Sequence, residues 1–305
     1  RIVLSLWPFG VVWLGGFMMR DRSVWACLPI LAGLLLIFMT TPVSAQGIGI
    51  DSGAAADSLG HTGEVSDRWQ YTLGLGAVAV PDYEGSDEYE AAPLPVARIQ
   101  KGHQYGQLFG LKFTSNLVPH PNFRLGPVVN YRGERDDVEN NAVDKMSDVD
   151  GALELGAQVG YDHNLDGGGV IGAEVEWVHD VTDEHDGWLL TPEIHYRRPL
   201  GDRWHFNLSA SATYASDDYM ETYFDVTPAD SAASGLSTFS ASDGFNDVGV
   251  NIAFNYDMTE RWGLGIIGGW TRLLNDAEDS PVVDGAGDEN QFIGGLYVSY
   301  SWMGN

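Results

Sequence analysis

From Trp69 onward the chain alternates apolar and polar residues one for one over long stretches. Trp69, Tyr71, Leu73, Leu75, Ala77 and Ala79 fall on one face, and Gln70, Thr72, Gly74 and Gly76 on the other. The pattern recurs from Phe123 to Tyr131, Leu153 to Tyr161, Ile171 to Trp177, Trp188 to Tyr196, Trp204 to Tyr214, Val248 to Tyr256 and Leu296 to Trp302. A period of two is the period of an extended strand with one face buried in a different medium from the other. Strands of soluble sandwiches usually stop at ~5–6 residues. Runs of ~10 match a tilted strand crossing a bilayer. Lipid satisfies no backbone polar group, so such a sheet has to close on itself. The chain is therefore expected to be all-β, a transmembrane antiparallel up-and-down β-barrel.

Loop lengths set orientation and strand number. Short links lie at Asn164–Gly168, Arg198–Arg203 and Asp257–Arg261, and long ones at Gly133–Asp150, Ser216–Gly244 and Asn275–Asn290. Outer-membrane barrels keep short turns in the periplasm and long loops outside. Asp67-Arg68-Trp69, Asp202-Arg203-Trp204 and Glu260-Arg261-Trp262 open three strands alike. They are read as strands leaving the periplasmic side, with Trp69, Trp204 and Trp262 in an interfacial girdle. The strand at Trp69 rises, that at Ala91–Gln100 descends, and that at Phe123 must rise because a long loop follows. Two strands must then fit between, near His103–Phe109 and Leu111–Leu117. The total is twelve with both ends periplasmic. If residues 101–122 are one long link, the total is ten. Gly295 to Tyr300 has the glycine-apolar-aromatic character of a final strand, although the chain continues to Asn305.

The start of the chain reads differently. Residues 1–17 are expected to be upstream translation, with the true start at Met18 or Met19. Residues 18–45 read as a signal peptide: Arg20 and Arg22, an apolar stretch from Leu28 to Met39, and a small-x-small end at Ala45. An N-terminal membrane anchor is the alternative. Residues 46–66 are a flexible periplasmic leader, and 67–305 are the barrel. Cys27, the one cysteine, would leave with the signal, so a disulfide scaffold and a Cys-based metal site are excluded. A formal charge of −27 excludes a nucleic-acid binder, which needs a basic footprint. Signal and barrel together place the chain in a Gram-negative outer membrane, in contact with outer-membrane lipid and lipopolysaccharide.

The first strand closes on Pro81-Asp82-Tyr83-Glu84-Gly85-Ser86-Asp87, followed by Pro93-Leu94-Pro95. Tyr223-Phe224-Asp225-Val226-Thr227-Pro228, Ala233-Ser234-Gly235-Leu236 and Asp279-Ser280-Pro281-Val282-Val283 come later. In this order the blocks resemble the MipA/OmpV family, named after the MltA-interacting protein, over about Trp69 to Trp302. The resemblance implies an outer-membrane barrel. For the founding branch it implies a scaffold linking a lytic transglycosylase to a peptidoglycan synthase. Other branches look like porins or adhesins, and no family catalytic residues are carried over.

These residues admit three chemistries. The outer loops are rich in Asp and Glu, and 217–244 and 275–290 contain no Lys or Arg. Weak Ca²⁺ or Mg²⁺ capture is one reading; the plainer one is a solvated anionic surface, since EF-hand spacing is lacking. Glu154, Glu174, Glu176 and Glu193 with Arg98, Arg124, Arg132 and Arg197 fall on the inward faces. They form either a selective constriction or a paired polar plug. The third is catalysis, for which His179-Asp180 and His185-Asp186 are the candidates. Neighbours on a strand face opposite ways, and neither Gly-x-Ser-x-Gly nor His-Glu-x-x-His occurs, so no enzyme and no cofactor is expected. A scaffold would use the basic turns at Lys101, Arg197, Arg198, Arg203 and Arg261.

Overall fold

A computed structural model describes residues 66–304. The upstream start, the signal peptide and the leader through residue 65 lie outside the described residues. Twelve strands close into one antiparallel barrel: β1 (Gln70–Pro81), β2 (Tyr89–Lys101), β3 (Gln104–Phe109), β4 (Lys112–Asn116), β5 (Phe123–Arg132), β6 (Ala152–Asn164), β7 (Val170–Asp180), β8 (Trp188–Leu200), β9 (Trp204–Ala215), β10 (Gly244–Asp257), β11 (Trp262–Leu273) and β12 (Asn290–Met303). Each strand pairs with its sequence neighbours, and β1 meets β12 from Gln70↔Met303 to Ala79↔Gly294. The ten-strand alternative is thereby removed.

The alternation is spent as lipid demands. Leu73, Leu75, Leu125, Ile171, Val175, Ile194, Ile266 and Leu296 are exposed on the outer face. Their strand neighbours Thr72, Val78, Arg124, Glu174 and Glu193 are buried inside. At the short-turn end, Trp204 lies against Tyr256 (4.8 Å between centroids), Trp262 against Tyr300 (5.0 Å) and Tyr71 against Trp302 (5.4 Å). At the other end, Trp188 stacks on Tyr214, which meets Phe245 edge-on. These two bands mark the interfaces.

One sector departs from the rest. β3 and β4 have 6 and 5 residues, against 10 to 14 elsewhere. Their hairpin turns at Gly110, whose N–H bonds Pro95 O. The part of β2 above Pro95, from Tyr89 to Leu94, therefore has a ladder on the β1 side only. Pro95 turns its carbonyl toward β3, and in an antiparallel ladder a residue two along presents its edge the same way. Pro93 thus brings no N–H to the unladdered edge, which removes a donor that lipid could not satisfy.

The outer loops keep a largely exposed acidic surface, but beneath it they are folded. They carry a 3₁₀ turn (Val143–Lys145) and three helices: α1 (Asp217–Phe224), α2 (Pro228–Ser234) and α3 (Asp276–Asp279). In α1, Tyr219, Met220, Tyr223 and Phe224 repeat at helical spacing and are all buried. Thr227 caps α2 by accepting from Asp230 N, with Pro228 in the first turn and Gly235 left-handed at its end. Below their acidic surface these loops bury Tyr83, Val138, Val143, Met146, Val226, Val282 and Ala286 as one apolar cluster. A second cluster joins α1 to the barrel through Val128, Val178, Leu189 and Leu273. The loops thus form a folded cap over the outer mouth.

Candidate functional site

The cap is seated by the motif that ends β1. The chain turns inward there, burying Asp82, Tyr83, Glu84 and Ser86. Gly85 has φ +98°, and a Cβ on it would stand 2.5 Å from Val283 Cγ2, so both conformation and contact demand glycine. Tyr83 donates its hydroxyl to Ala286 O (2.8 Å). Gln291 on β12 accepts from Gly85 N (3.2 Å) and donates to Ser86 O (3.0 Å). Asp82 accepts from Glu139 N (2.8 Å), which ties the loop after β5 across to the motif.

Beneath the cap, Arg132 holds two carboxylates from different elements. Its Nε lies 2.9 Å from Glu154 Oε1, and its Nη1 lies 3.6 Å from Glu84 Oε2. Its guanidinium stands over the rings of Tyr219 (4.9 Å) and Tyr223 (5.6 Å). Tyr219 donates to Glu84 Oε2 at 2.6 Å. Glu154 also accepts from Asn130 (2.7 Å) and approaches His185 Nε2 at 3.3 Å. One cation of the barrel wall thereby grips the motif and α1 together.

The cap's own ionisable groups are displaced by their surroundings. Burial raises the Tyr83, Tyr219 and Tyr223 hydroxyls. Burial opposes ionisation of Asp230, but hydrogen bonds from Thr227 and Ser147 outweigh it and hold this carboxyl below its ordinary range. His185 is fully buried rather than solvated, and Asp180 accepts from Thr182, Glu184 N and His185 N, so this pair shapes the loop. Sequence reasoning weighed His185 only for catalysis and missed Tyr219 and Tyr223. The signal was present in Tyr219-Met220 and Tyr223-Phe224, apolar pairs one helical turn apart inside an acidic loop.

The lumen has two unlike walls. On β4 to β8 it is ionic. Lys112 pairs with Glu176 (2.7 Å), and Arg124 with Glu174 (3.2 Å) and Asp162 (3.3 Å). Arg197 pairs with Asp162 (2.5 Å), and His195 lies 3.0 Å from Asp162 and 3.4 Å from Glu193. Arg98 on β2 donates to Gln100 (3.0 Å) and Gln107, and lies over the Tyr105 ring. The wall built from β1 to β3 and β10 to β12 is apolar: Val78, Val80, Leu94, Val96, Phe109, Ala253, Ile267, Ile293 and Tyr297 pack as one buried cluster. Between cap and walls lies a chamber of about 90 Å³.

At the periplasmic rim, Arg261 donates to Tyr300 Oη (3.1 Å) and Arg203 to Tyr256 Oη (3.5 Å). Trp262 and Trp204 rest on those same rings. At the third such start, Arg68 bonds Gly304 O and Lys101 lies 5.6 Å from the Trp69 ring centroid.

Comparison with known proteins finds relatives among outer membrane proteins. Outer membrane protein Omp26La of Vibrio anguillarum is 29% identical over 124 residues, covering 40% of this chain and 45% of the relative. Outer membrane protein OmpV of Vibrio cholerae gives the same identity and coverage. The matched part thus spans less than half the length of these curated relatives. Among solved structures, the NanC porin superposes with a TM-score of 0.42 at 9% identity, over 75% of this chain and 98% of that chain. The family model described as MltA-interacting protein MipA matches residues 73–302. The chain is an outer-membrane β-barrel, and it belongs to the MipA family.

Proposed function

We propose that this barrel is a non-catalytic structural protein of the envelope, closed at rest, whose periplasmic rim scaffolds a lytic transglycosylase and a peptidoglycan synthase. The observation that carries the closed state is the filled lumen: ion pairs on one wall, a packed apolar cluster on the other, and a cap gripped by Arg132 above. A permanently open porin would leave its charged ring facing water. The scaffold rests on the family to which the chain belongs and on a rim whose cations are held out beside tyrosines. Outer-membrane lipid and lipopolysaccharide surround the wall. Affinity capture from detergent-solubilised envelopes tests the scaffold. Recovery of a peptidoglycan hydrolase or synthase, reduced on replacing Arg198, Arg203 and Arg261 by Ala, is the expected result; recovery of the barrel alone argues against it.

A solute channel that opens by moving its cap is the second reading. The chamber below the cap favours it, because a purely structural plug has no need of one.

A further inference from the structure

From β8 to β11 the side of the chamber is neutral and polar, unlike the ion pairs and the apolar cluster elsewhere in the lumen. Thr191 on β8, Ser211 and Thr213 on β9, Asn251 on β10 and Thr271 on β11 all line the chamber. Register sets them in rows. Ser211 and Thr271 both pair with Gly249, one from each side of β10. Gly249 has no side chain, so that row has a gap at its centre. A Cβ there would stand 3.2 Å from Ser211 Oγ and 3.4 Å from Thr271 Oγ1. The next residue of β10 on the same face is Asn251. Its partner on β11 is Gly269, where a Cβ would overlap the Asn251 amide oxygen. Two glycines thus open a dent in the wall, flanked by two hydroxyls and bounded on its periplasmic side by one amide.

Asn251 is the group that calls for a ligand. It is only 9% exposed, and among the described residues its amide has no hydrogen-bond partner. Yet it lines the chamber, and neither of its polar atoms is sealed from a molecule the size of water. A buried amide needs both an acceptor and a donor opposite it. The charged groups nearby are already matched. Lys112 pairs with Glu176 (2.7 Å) and Arg132 with Glu154 (2.9 Å). Glu84 accepts from Tyr219 and Asn246, and Asp247 accepts from Thr213 and Asn246. An entering ion would have to compete with these partners. What stays open is neutral: the Asn251 amide and the Ser211 and Thr271 hydroxyls, each able both to donate and to accept. An alcohol oxygen has the same double capacity, and two adjacent hydroxyls on one solute match this set.

We propose that the chamber is a binding site for a neutral vicinal diol, either a small glycol or the end of a longer polyol. One hydroxyl sits over Gly249 between Ser211 Oγ and Thr271 Oγ1, and the adjacent one pairs with the Asn251 amide. A cavity of ~150 Å³ takes benzene, so about 90 Å³ suits a two-carbon diol unit. The site goes beyond the scaffold reading and does not rest on it.

The test uses the full barrel in detergent, shown folded by heat-modifiable migration on gels. It is brought to equilibrium with ethylene glycol or glycerol, against 1-propanol and methylammonium chloride, and binding is read by saturation-transfer NMR of the ligand. Saturable binding of the two diols alone is expected. Asn251→Leu should weaken it about tenfold, the scale of a pair of lost neutral hydrogen bonds. Gly249→Ala puts a methyl between two hydroxyls that can rotate away from it, so it should fold and weaken binding as much. If Asn251→Leu does not fold, Gly249→Ala decides. No saturation, an equal response to 1-propanol or methylammonium, or unaltered binding in either folded variant overturns the site. Failure here leaves the envelope-capture result untouched, and failure of that capture leaves this one.

Discussion

The two walls of the lumen are filled by opposite chemistry. From β4 to β8 the interior is a ladder of ion pairs running from Lys112–Glu176 to Arg197–Asp162. Across from it, Leu94, Phe109, Ile267 and Tyr297 pack without a charge. Both line the lumen, yet they respond differently to damage. An ionic wall is intolerant of losing one partner, since the other is left buried and charged, but is indifferent to losing both. An apolar wall loses transfer energy and gains a cavity with every atom removed. The apolar wall packs on itself, whereas the ionic wall also holds the cap, because Arg132 belongs to both.

The largest effect should therefore come from Arg132→Ala. It strands Glu154 and Glu84 together, and breaking a buried pair costs about 3–5 kcal/mol. Urea unfolding in detergent should show that loss, and limited proteolysis should cut between α1 and α2 first. Tyr297→Ala should be comparable or slightly smaller, about 3 kcal/mol, but without loosening the cap. The Tyr297 ring lies over Gly265, where a Cβ would stand 2.1 Å from it, and meets Phe109 edge-on at 5.7 Å. Equal cap proteolysis in both variants would erase the distinction between the walls.

A double replacement sharpens it. Arg124→Met with Glu174→Leu removes a pair 3.2 Å apart. It should fall within about 2 kcal/mol of wild type, whereas Arg124→Met alone should cost more. Unfolding midpoints of the three variants decide this.

The cap should also yield to alkali before the wall does. The Tyr83, Tyr219 and Tyr223 hydroxyls are raised by burial. An acid with a raised folded pKa contributes stability fully below its unfolded value, about 10, and loses it as pH climbs toward the folded value. Tyrosinate absorbance should appear late for these three, together with protease sensitivity of the loops, while heat-modifiable migration persists. The smallest effect is expected at the rim, where Arg261→Ala removes an exposed bond to Tyr300 (3.1 Å) and should cost under ~1 kcal/mol.

The wall was legible because lipid enforces its pattern. Every strand must show one apolar face, and parity then required the β3–β4 hairpin even though its strands are short. The segments read near His103–Phe109 and Leu111–Leu117 are β3 and β4 within a residue or two. The cap was hidden because its apolar residues are sparse and come from distant loops. Val138, Met146, Val226 and Val282 join only after the barrel has brought their loops together. The missing upper half of β3 and β4 was hinted at by Pro93 and Pro95, which read first as motif residues rather than as an edge without donors. Which inward charge pairs with which depends on register across strands, as with Arg124 reaching both Asp162 and Glu174, and alternation alone carries no register.

The most direct measurement is conductance of the purified barrel in planar bilayers, wild type beside Arg132→Ala. A lumen filled by both walls and capped predicts silence from wild type, and stepwise currents once Arg132 is removed. Stable steps from the wild-type barrel at neutral pH would contradict the closed state.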